Sequence, residues 1–478
     1  MPQPTIAGST EELLSNLEGL ARIDGERLFV EDETAFRDRG IRDLAWSATF
    51  SGDEGTVHAA RWIVWDASQL LGSPSASIHE LYMARGRGEV SGFTVPACNL
   101  RTQVFDMAAA LYRAAAARDA QAVICELARS EQEYTWQRPG EYITSVLAGA
   151  IHAGWRAPVF VQGDHYQFNA KKYATDPEAT TESIRKITRE AIGVGYGNID
   201  IDSSTLVDLS LTDIDSQQRT NYERAAELTA LIREIQPDDL VISVGGEIGE
   251  VGKQNSTEEE LRTYLDGYRT ELDRRAGPEA VGLSKVSVQT GTSHGGVPLP
   301  GGGVAEVKLD FGTLERLSAV CREYGLAGAV QHGASTLPDE LFNRFPQVET
   351  AEIHLATGFI NVLYDHPSFP TDLKAEMEAW CEQNTRDEWK PDEPRDVSLY
   401  KTRKKALGAF KQQLWGLENR EAILAAQEQK LGYLMDQLGV GGTAEAVGRY
   451  VSAPARFMPM PESLRSERRH AILTPGTS

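Results

Sequence analysis

Residues 93–103 read FTVPACNLRTQ: a short apolar run closing on Pro96-Ala97-Cys98-Asn99, then a polar turn that contains no glycine. Alone it is one buried strand. Its weight comes from repetition, because runs of the same texture recur at 121–128 (QAVICELA), 158–165 (PVFVQGDH), 198–204 (NIDIDSS), 240–247 (LVISVGGE), 283–291 (LSKVSVQTG), 326–333 (LAGAVQHG) and 348–356 (VETAEIHLA). Between them lie stretches with helical spacing. In 176–192, Asp176 can cap, Pro177 suits a first turn, and Ile184, Ile187, Ala191 and Ile192 share one face. Thr257 and Glu260 have capping-box spacing ahead of Leu261. Eight strands alternating with helices predict an α/β fold of the (β/α)8 TIM-barrel type over 88–365. The competing doubly wound sheet uses fewer strands and a glycine-rich turn after the first, and FTVPACNLRTQ has none. The barrel is the better reading.

The flanks read as extensions. Residues 1–87 carry a capping-box pattern at Ser9 and Glu12 and a core-like run, AARWIVWDASQLL, but no chemical motif. Residues 366–478 are expected to form a helical C-terminal extension, mostly helical over 402–436, with a mobile Pro- and Arg-containing tail. Lys and Arg total 48 against 70 Asp and Glu, a formal net charge of −22. Such a surface repels phosphate backbones, and the one basic cluster is KTRKK at 401–405, so no nucleic-acid partner is expected. No run reaches the roughly 20 apolar residues of a membrane span. MPQPTIAGSTEELL lacks the basic start and apolar core of a secretory signal. Cys98, Cys125, Cys321 and Cys381 stand far apart without CxxC spacing, as reduced thiols of a cytoplasmic protein would.

Barrel chemistry sits at the C-terminal ends of the strands. There the eight runs place Asn99, Asp164-His165, Asp202, Glu247, His294, His332 and His354. A lone histidine is more often a satisfied structural group, but four of the nine histidines in the chain fall at such ends. Imidazoles with carboxylates are the ligand set of zinc or a similar divalent ion, and three protein ligands leave a catalytic metal open positions. His294 and His332 are each followed by glycine, in TSHGG and QHGAS. Gly295 and Gly333 allow backbone N–H groups close to an anion, Ser335 adds a hydroxyl, and Pro300-Gly301-Gly302-Gly303 lies just downstream. Metal beside an anion pocket suggests sugar-phosphate chemistry. Asp164 and His165, expected to face opposite ways at a strand end, divide between metal and substrate, and the residues alone leave Asp164 as either an orienter or a general acid/base.

In this order the motifs resemble the class II, zinc-dependent fructose-bisphosphate and tagatose-bisphosphate aldolases. FTVPACNLRTQVFDMAAALYRAA is similar to the family's first strand and helix, with its substrate-contacting Asn at Asn99. Asp164-His165, Ile201-Asp202, GGEIGEVGKQN, GTSHGGVPLPGGGVAEVKLDFGTLERL and AVQHGASTLPDELF match further family segments. The resemblance implies Zn2+ on His165, His294 and His332, with Glu247 and Asp202 around a second divalent position. It implies phosphate binding by Gly295, Gly333, Ser335 and Thr357 with a monovalent cation, substrate contact at His354, and Asp164 as the acid/base at the aldehyde-derived hydroxyl. The reaction implied is reversible C–C cleavage of a ketose (bis)phosphate through a metal-stabilised enediolate of dihydroxyacetone phosphate, in a cytoplasmic homodimer or higher homo-oligomer of carbohydrate metabolism. The chain departs from the pattern in three places. A gap-free reading puts Asn255 where the family has a proton-transferring loop glutamate, leaving Glu250 or Glu258 to replace it; His354-Leu355-Ala356-Thr357 stands for Asn-x-Asp-Thr; and Ala128 stands for a serine. For a basic family residue that reaches a neighbouring site, Lys401 or Arg403 is the candidate counterpart, and a solvated basic turn is the favoured reading of that stretch. The alternatives are a metal-dependent sugar or sugar-acid epimerase or isomerase, favoured by Asn255 and His354, and a non-catalytic accessory subunit, which the intact histidine set opposes.

Overall fold

The fold is described from a computed structural model covering residues 4–249, 254–291, 309–334 and 337–465. His294, Gly295, Ser335, Glu250 and the 300–303 glycine segment lie outside these residues. Eight strands alternate with helices: β1 (Val95–Asn99), β2 (Ile124–Ala128), β3 (Val159–Gln167), β4 (Asn198–Asp202), β5 (Ser243–Glu247), β6 (Lys285–Val288), β7 (Ala329–Gln331) and β8 (Glu352–Leu355). All pair in parallel with their sequence neighbours, β8 pairs with β1, and the sheet closes into a barrel. Each strand lies within one of the eight runs read from the sequence, except that β3 continues two residues further.

That extra length contains a bulge. Against β4, Gln162 and Gly163 pair with Asn198 and Ile199, but Tyr166 and Gln167 pair with Ile201 and Asp202. Two residues, Asp164 and His165, therefore oppose one, and His165 takes the left-handed φ of +41°. A β-bulge of this kind re-aims a side chain. Ordinary alternation would send Asp164 inward and His165 outward; the bulge turns both to the barrel mouth and puts Tyr166, completely buried, on Gly163's side of the sheet. The packing there demands glycine, because a Cβ at Gly163 would lie 2.5 Å from the Tyr166 ring. The expectation that Asp164 and His165 face opposite ways is corrected by this bulge.

The N-terminal extension closes the floor of the barrel. Ser75–Ala76 adds a short parallel strand beside Val159 and Phe160. Ile78 N–H donates to Asn198 Oδ1 at 3.0 Å, and Ser243 N–H to Ser77 Oγ at 3.0 Å. In helix His79–Gly86, the buried Arg85 guanidinium bonds the carbonyls of Ala327 and Thr350, each at 3.2 Å, and that of Phe93, where three strands begin. At the other end of the chain the expected long helix is broken near Gly408 and Gly416 into helices Lys411–Trp415 and Arg420–Gln437. The second packs on helix Val104–Ala116, with ion pairs Arg113–Glu428 and Arg118–Asp436. The start of the expected mobile tail is docked instead: Trp65 Nε1 donates to the Arg456 carbonyl at 2.7 Å, Trp62 Nε1 to that of Met458 at 3.0 Å, and Leu464 is fully buried. Apolar side chains from both extensions join the main core of the barrel, while Ile360, Leu363, Tyr364 and C-terminal residues between Phe369 and Ile423 form a second, smaller cluster. Among the described residues no helix is long and apolar enough to cross a membrane, and all four cysteines are buried and free.

Candidate active site

The strand ends bring together Asp164, His165, Asp202, Glu247, His332 and His354, all buried except the partly exposed His165. The rings of His165 and His332 are 4.3 Å apart between centroids, and those of His332 and His354 4.1 Å. His165 Nδ1 donates to Asp202 Oδ2 at 3.0 Å, with Glu247 Oε2 at 3.4 Å. That bond fixes the tautomer and leaves Nε2 facing Asp164, whose Oδ1 is 3.9 Å away. Asp164, His165 and His332 therefore offer converging donors, and His165, Asp202 and Glu247 offer a second set sharing the same imidazole. Two imidazoles with a carboxylate fit a divalent ion of the zinc type.

The same contacts set the local fields. Burial would lower His165, but the charges of Asp164, Asp202 and Glu247 hold it well above the usual histidine range. Burial raises Glu247, the charges of Asp202 and Asp164 add to it, and His165 only partly opposes them, leaving the carboxyl at about 7. Asp202 goes the other way. Burial alone would raise it, but hydrogen bonds from His165, Ser204 and Gln167 keep it low and ionised.

His354 stands deeper. Its Nε2 donates to Glu352 Oε1 at 2.8 Å, while Nδ1 lies 3.0 Å from Glu126 Oε2 and 3.3 Å from Asp164 Oδ1. Beneath it, Lys285 Nζ bonds Gln162 Oε1 at 2.8 Å, Asp200 Oδ2 at 3.0 Å and Glu352 Oε1. Gly245 leaves the room, since a Cβ there would meet Asp200 Oδ1 at 2.3 Å and Lys285 Cε at 2.9 Å. The sequence reading missed Glu126, Gln162, Asp200, Lys285 and Glu352. The signal for them was period-2 alternation, which places the residue two before each mouth residue on the same face: Asp200 under Asp202, Glu352 under His354.

A cavity of about 890 Å³ opens on this mouth, its wall including Asn99, Asp164, His165, Gly333, His354 and Thr357. Asn99 Nδ2 donates to Glu131 Oε2 at 2.6 Å and its Oδ1 accepts from Arg101 Nε at 3.1 Å. Arg101 and Lys404 also line the cavity and were missed. Lys401 and Arg403 are not part of the described wall: Lys401 pairs with Glu393, and Arg403 bonds Asn361 Oδ1 at 2.7 Å. Lys404 is half-buried, and burial followed by the charge of Arg101 lowers its pKa. Asn255 Nδ2 donates to Asp310 Oδ2 at 3.3 Å, and Glu258 lies 3.6 Å from Arg316, so neither is brought to the cavity.

Residues 87–413 match the family model described as fructose-bisphosphate aldolase class-II. No curated protein matches the chain. Among solved structures, the fructuronate-tagaturonate epimerase UxaE from Cohnella laeviribosi is similar at 12% identity and a TM-score of 0.53, over 80% of this chain and 86% of its own. A protein named a probable tagatose 6 phosphate kinase, from Sinorhizobium meliloti 1021, is similar at 15% identity and a TM-score of 0.52, over 80% and 98%. The fructose-bisphosphate aldolase of Campylobacter jejuni matches at 15% identity and a TM-score of 0.44, over 75% and 93%. At these identities the first two likenesses show the barrel fold.

Proposed function

The chain belongs to the class-II fructose-bisphosphate aldolase family, and from that membership we propose that it is a zinc-dependent aldolase making and breaking a C–C bond in a ketose phosphate. The observation that carries the reading is the convergence of Asp164, His165 and His332 at the mouth of a cavity large enough for a sugar phosphate. His165 and His332 would hold zinc together with His294, and Asp202 and Glu247 would surround a second position. When bound, the ion supplies Lewis-acid polarisation of the ketose carbonyl. The remaining chemistry belongs to the chain. Asp164 takes the proton of the hydroxyl on the carbon that becomes the aldehyde, while the electron pair of the breaking C–C bond passes to the ketose half. In synthesis it returns that proton. Asn99, Gly333, His354 and Thr357 orient the substrate, with Gly295 and Ser335 completing the anion set, and Arg101 and Lys404 add positive charge on the Asn99 side. Lys285 is no Schiff-base nucleophile: it is 1% exposed and ion-paired with Asp200 and Glu352. Burial opposes its charge, but those two carboxylates raise its pKa and keep it an ammonium.

A second reading, a metal-dependent sugar or sugar-acid epimerase, is favoured by His354 Nδ1 lying 3.3 Å from Asp164, which gives one cavity two proton-transfer groups. The deciding assay offers metal-loaded protein a panel of ketose 1-phosphates and 1,6-bisphosphates. Triose phosphate release that EDTA abolishes, with about one zinc per chain, is the expected result. No release from any member overturns the aldolase reading, and exchange of a C–H proton without cleavage selects the epimerase.

A further inference from the structure

The inside of a (β/α)8 barrel is ordinarily filled by layers of branched apolar side chains. In this chain the layer beneath the mouth is polar, with Glu126, Gln162 and Glu352 completely buried and Lys285 1% exposed. Glu352 is its hub. Oε1 accepts from Lys285 Nζ, from Gln162 Nε2 at 2.9 Å and from His354 Nε2 at 2.8 Å. Oε2 accepts from a group outside the barrel, the hydroxyl of Tyr82 in the floor helix His79–Gly86. Tyr82 is fully buried, its ring centroid 5.9 Å from Lys285 Nζ. Burial and the Glu352 charge push its phenol well above the ordinary range, so it serves as a donor.

A carboxylate is planar. Holding Oε2 from the floor fixes the rotation of the group, and with it the direction from which Oε1 receives the His354 N–H. Nε2 donates that hydrogen bond because Oε1 can only accept, and with the ring so held Nδ1 faces Asp164 Oδ1 and Glu126 Oε2. Neither Tyr82 nor Glu352 is part of the described cavity wall, whereas His354 and Asp164 both are.

We propose that Tyr82 is a positioning residue for the active site: acting through Glu352, it sets the orientation of the His354 ring against Asp164. The N-terminal extension, which carries no chemical motif of its own, thereby supports the catalytic layer. The proposal rests on the proposed aldolase function for its kinetic consequence, but not for its structural one.

The test is a double-mutant cycle on the full-length, zinc-loaded chain. Tyr82→Phe keeps the ring and removes the donor; the expected result is unchanged zinc content and KM with kcat lowered about tenfold. In a His354→Asn background the same change should alter kcat less than about twofold, because its route of action is gone. An equal loss in both backgrounds marks a merely structural role and overturns the proposal. In parallel, 15N-labelled protein without substrate reports the His354 Nε2–H resonance, identified by its disappearance in His354→Asn. Tyr82→Phe should shift it, and an unshifted resonance overturns the proposal even if no aldolase substrate is found. Should Tyr82→Phe not fold, Glu352→Gln enters the same cycle with the same expectations.

Discussion

The mouth of the barrel and the layers below it use the same residue types to opposite ends. At the mouth, His165 and His354 stand among carboxylates that raise them, and Asp164, His165 and His332 each keep a ligand atom turned toward one shared space. One layer down, Lys285, Gln162, Asp200 and Glu352 satisfy each other with short, direct bonds and do not line the described cavity wall. At the floor, His79 is 3% exposed and its Nδ1 has no hydrogen-bond partner. Polarity inside a barrel is thus not by itself a site. What separates the regions is whether the donors are spent on each other.

The sharpest way to break that contrast is to remove the cation of the middle layer. Lys285→Met leaves Asp200 and Glu352 as buried carboxylates without their counter-charge. Breaking a buried pair from one side costs about 3–5 kcal/mol, since the remaining charge cannot be solvated. Chemical denaturation should show a loss of that size. A loss below about 1 kcal/mol would mean that the layer is wetter than its burial indicates and is not distinct from the mouth.

At the mouth the effect should be on turnover rather than stability. Asp164→Asn keeps the shape of a residue whose carboxylate faces His165 at 3.9 Å and His354 at 3.3 Å. Turnover should fall about 100-fold, the size of a lost general acid/base, with zinc content by elemental analysis unchanged. Zinc lost along with activity would make Asp164 a ligand and move it from the proton side of the comparison to the metal side.

The sequence made the barrel legible because each strand is a short apolar run with a polar end, and eight such runs are what closure of β8 on β1 requires. It made the mouth legible because chemistry-bearing residues recur at those ends. It did not reveal the bulge at Asp164-His165. A one-residue slip in pairing is decided by the fit of Tyr166 against Gly163, a tertiary contact with no local signature. Nor did it reveal Lys404, which reaches the cavity across nearly the whole matched region, or Tyr82, whose partner Glu352 is 270 residues away. Tyr82 lies on an extension that carries no chemical motif, Lys404 in the KTRKK cluster where Lys401 and Arg403 drew attention instead, and only the packing of the barrel floor and rim gives the two a role. Asp200 and Glu352 were within reach, since alternation alone puts them under Asp202 and His354.

The smallest effect expected is at the floor, and it has the opposite sign from the mouth. Burial, then the charge of Arg233, lowers His79 from 6.5 to about 3. The unfolded chain therefore takes up this proton first as pH falls. Stability from keeping His79 neutral is fully present above pH 6.5 and is lost on acidification from there toward pH 3, at up to about 1.4 kcal/mol per pH unit. Between pH 7.5 and 5 that amounts to about 2 kcal/mol for this residue. Other groups titrate in the same range, so the informative quantity is a difference: the change in urea-unfolding free energy between the two pH values, wild type minus His79→Asn. The amide cannot take the proton, and the variant should lose about 2 kcal/mol less than wild type. Equal losses would place a partner on His79 and erase its contrast with His165 and His354, whose pKa values neighbouring carboxylates raise.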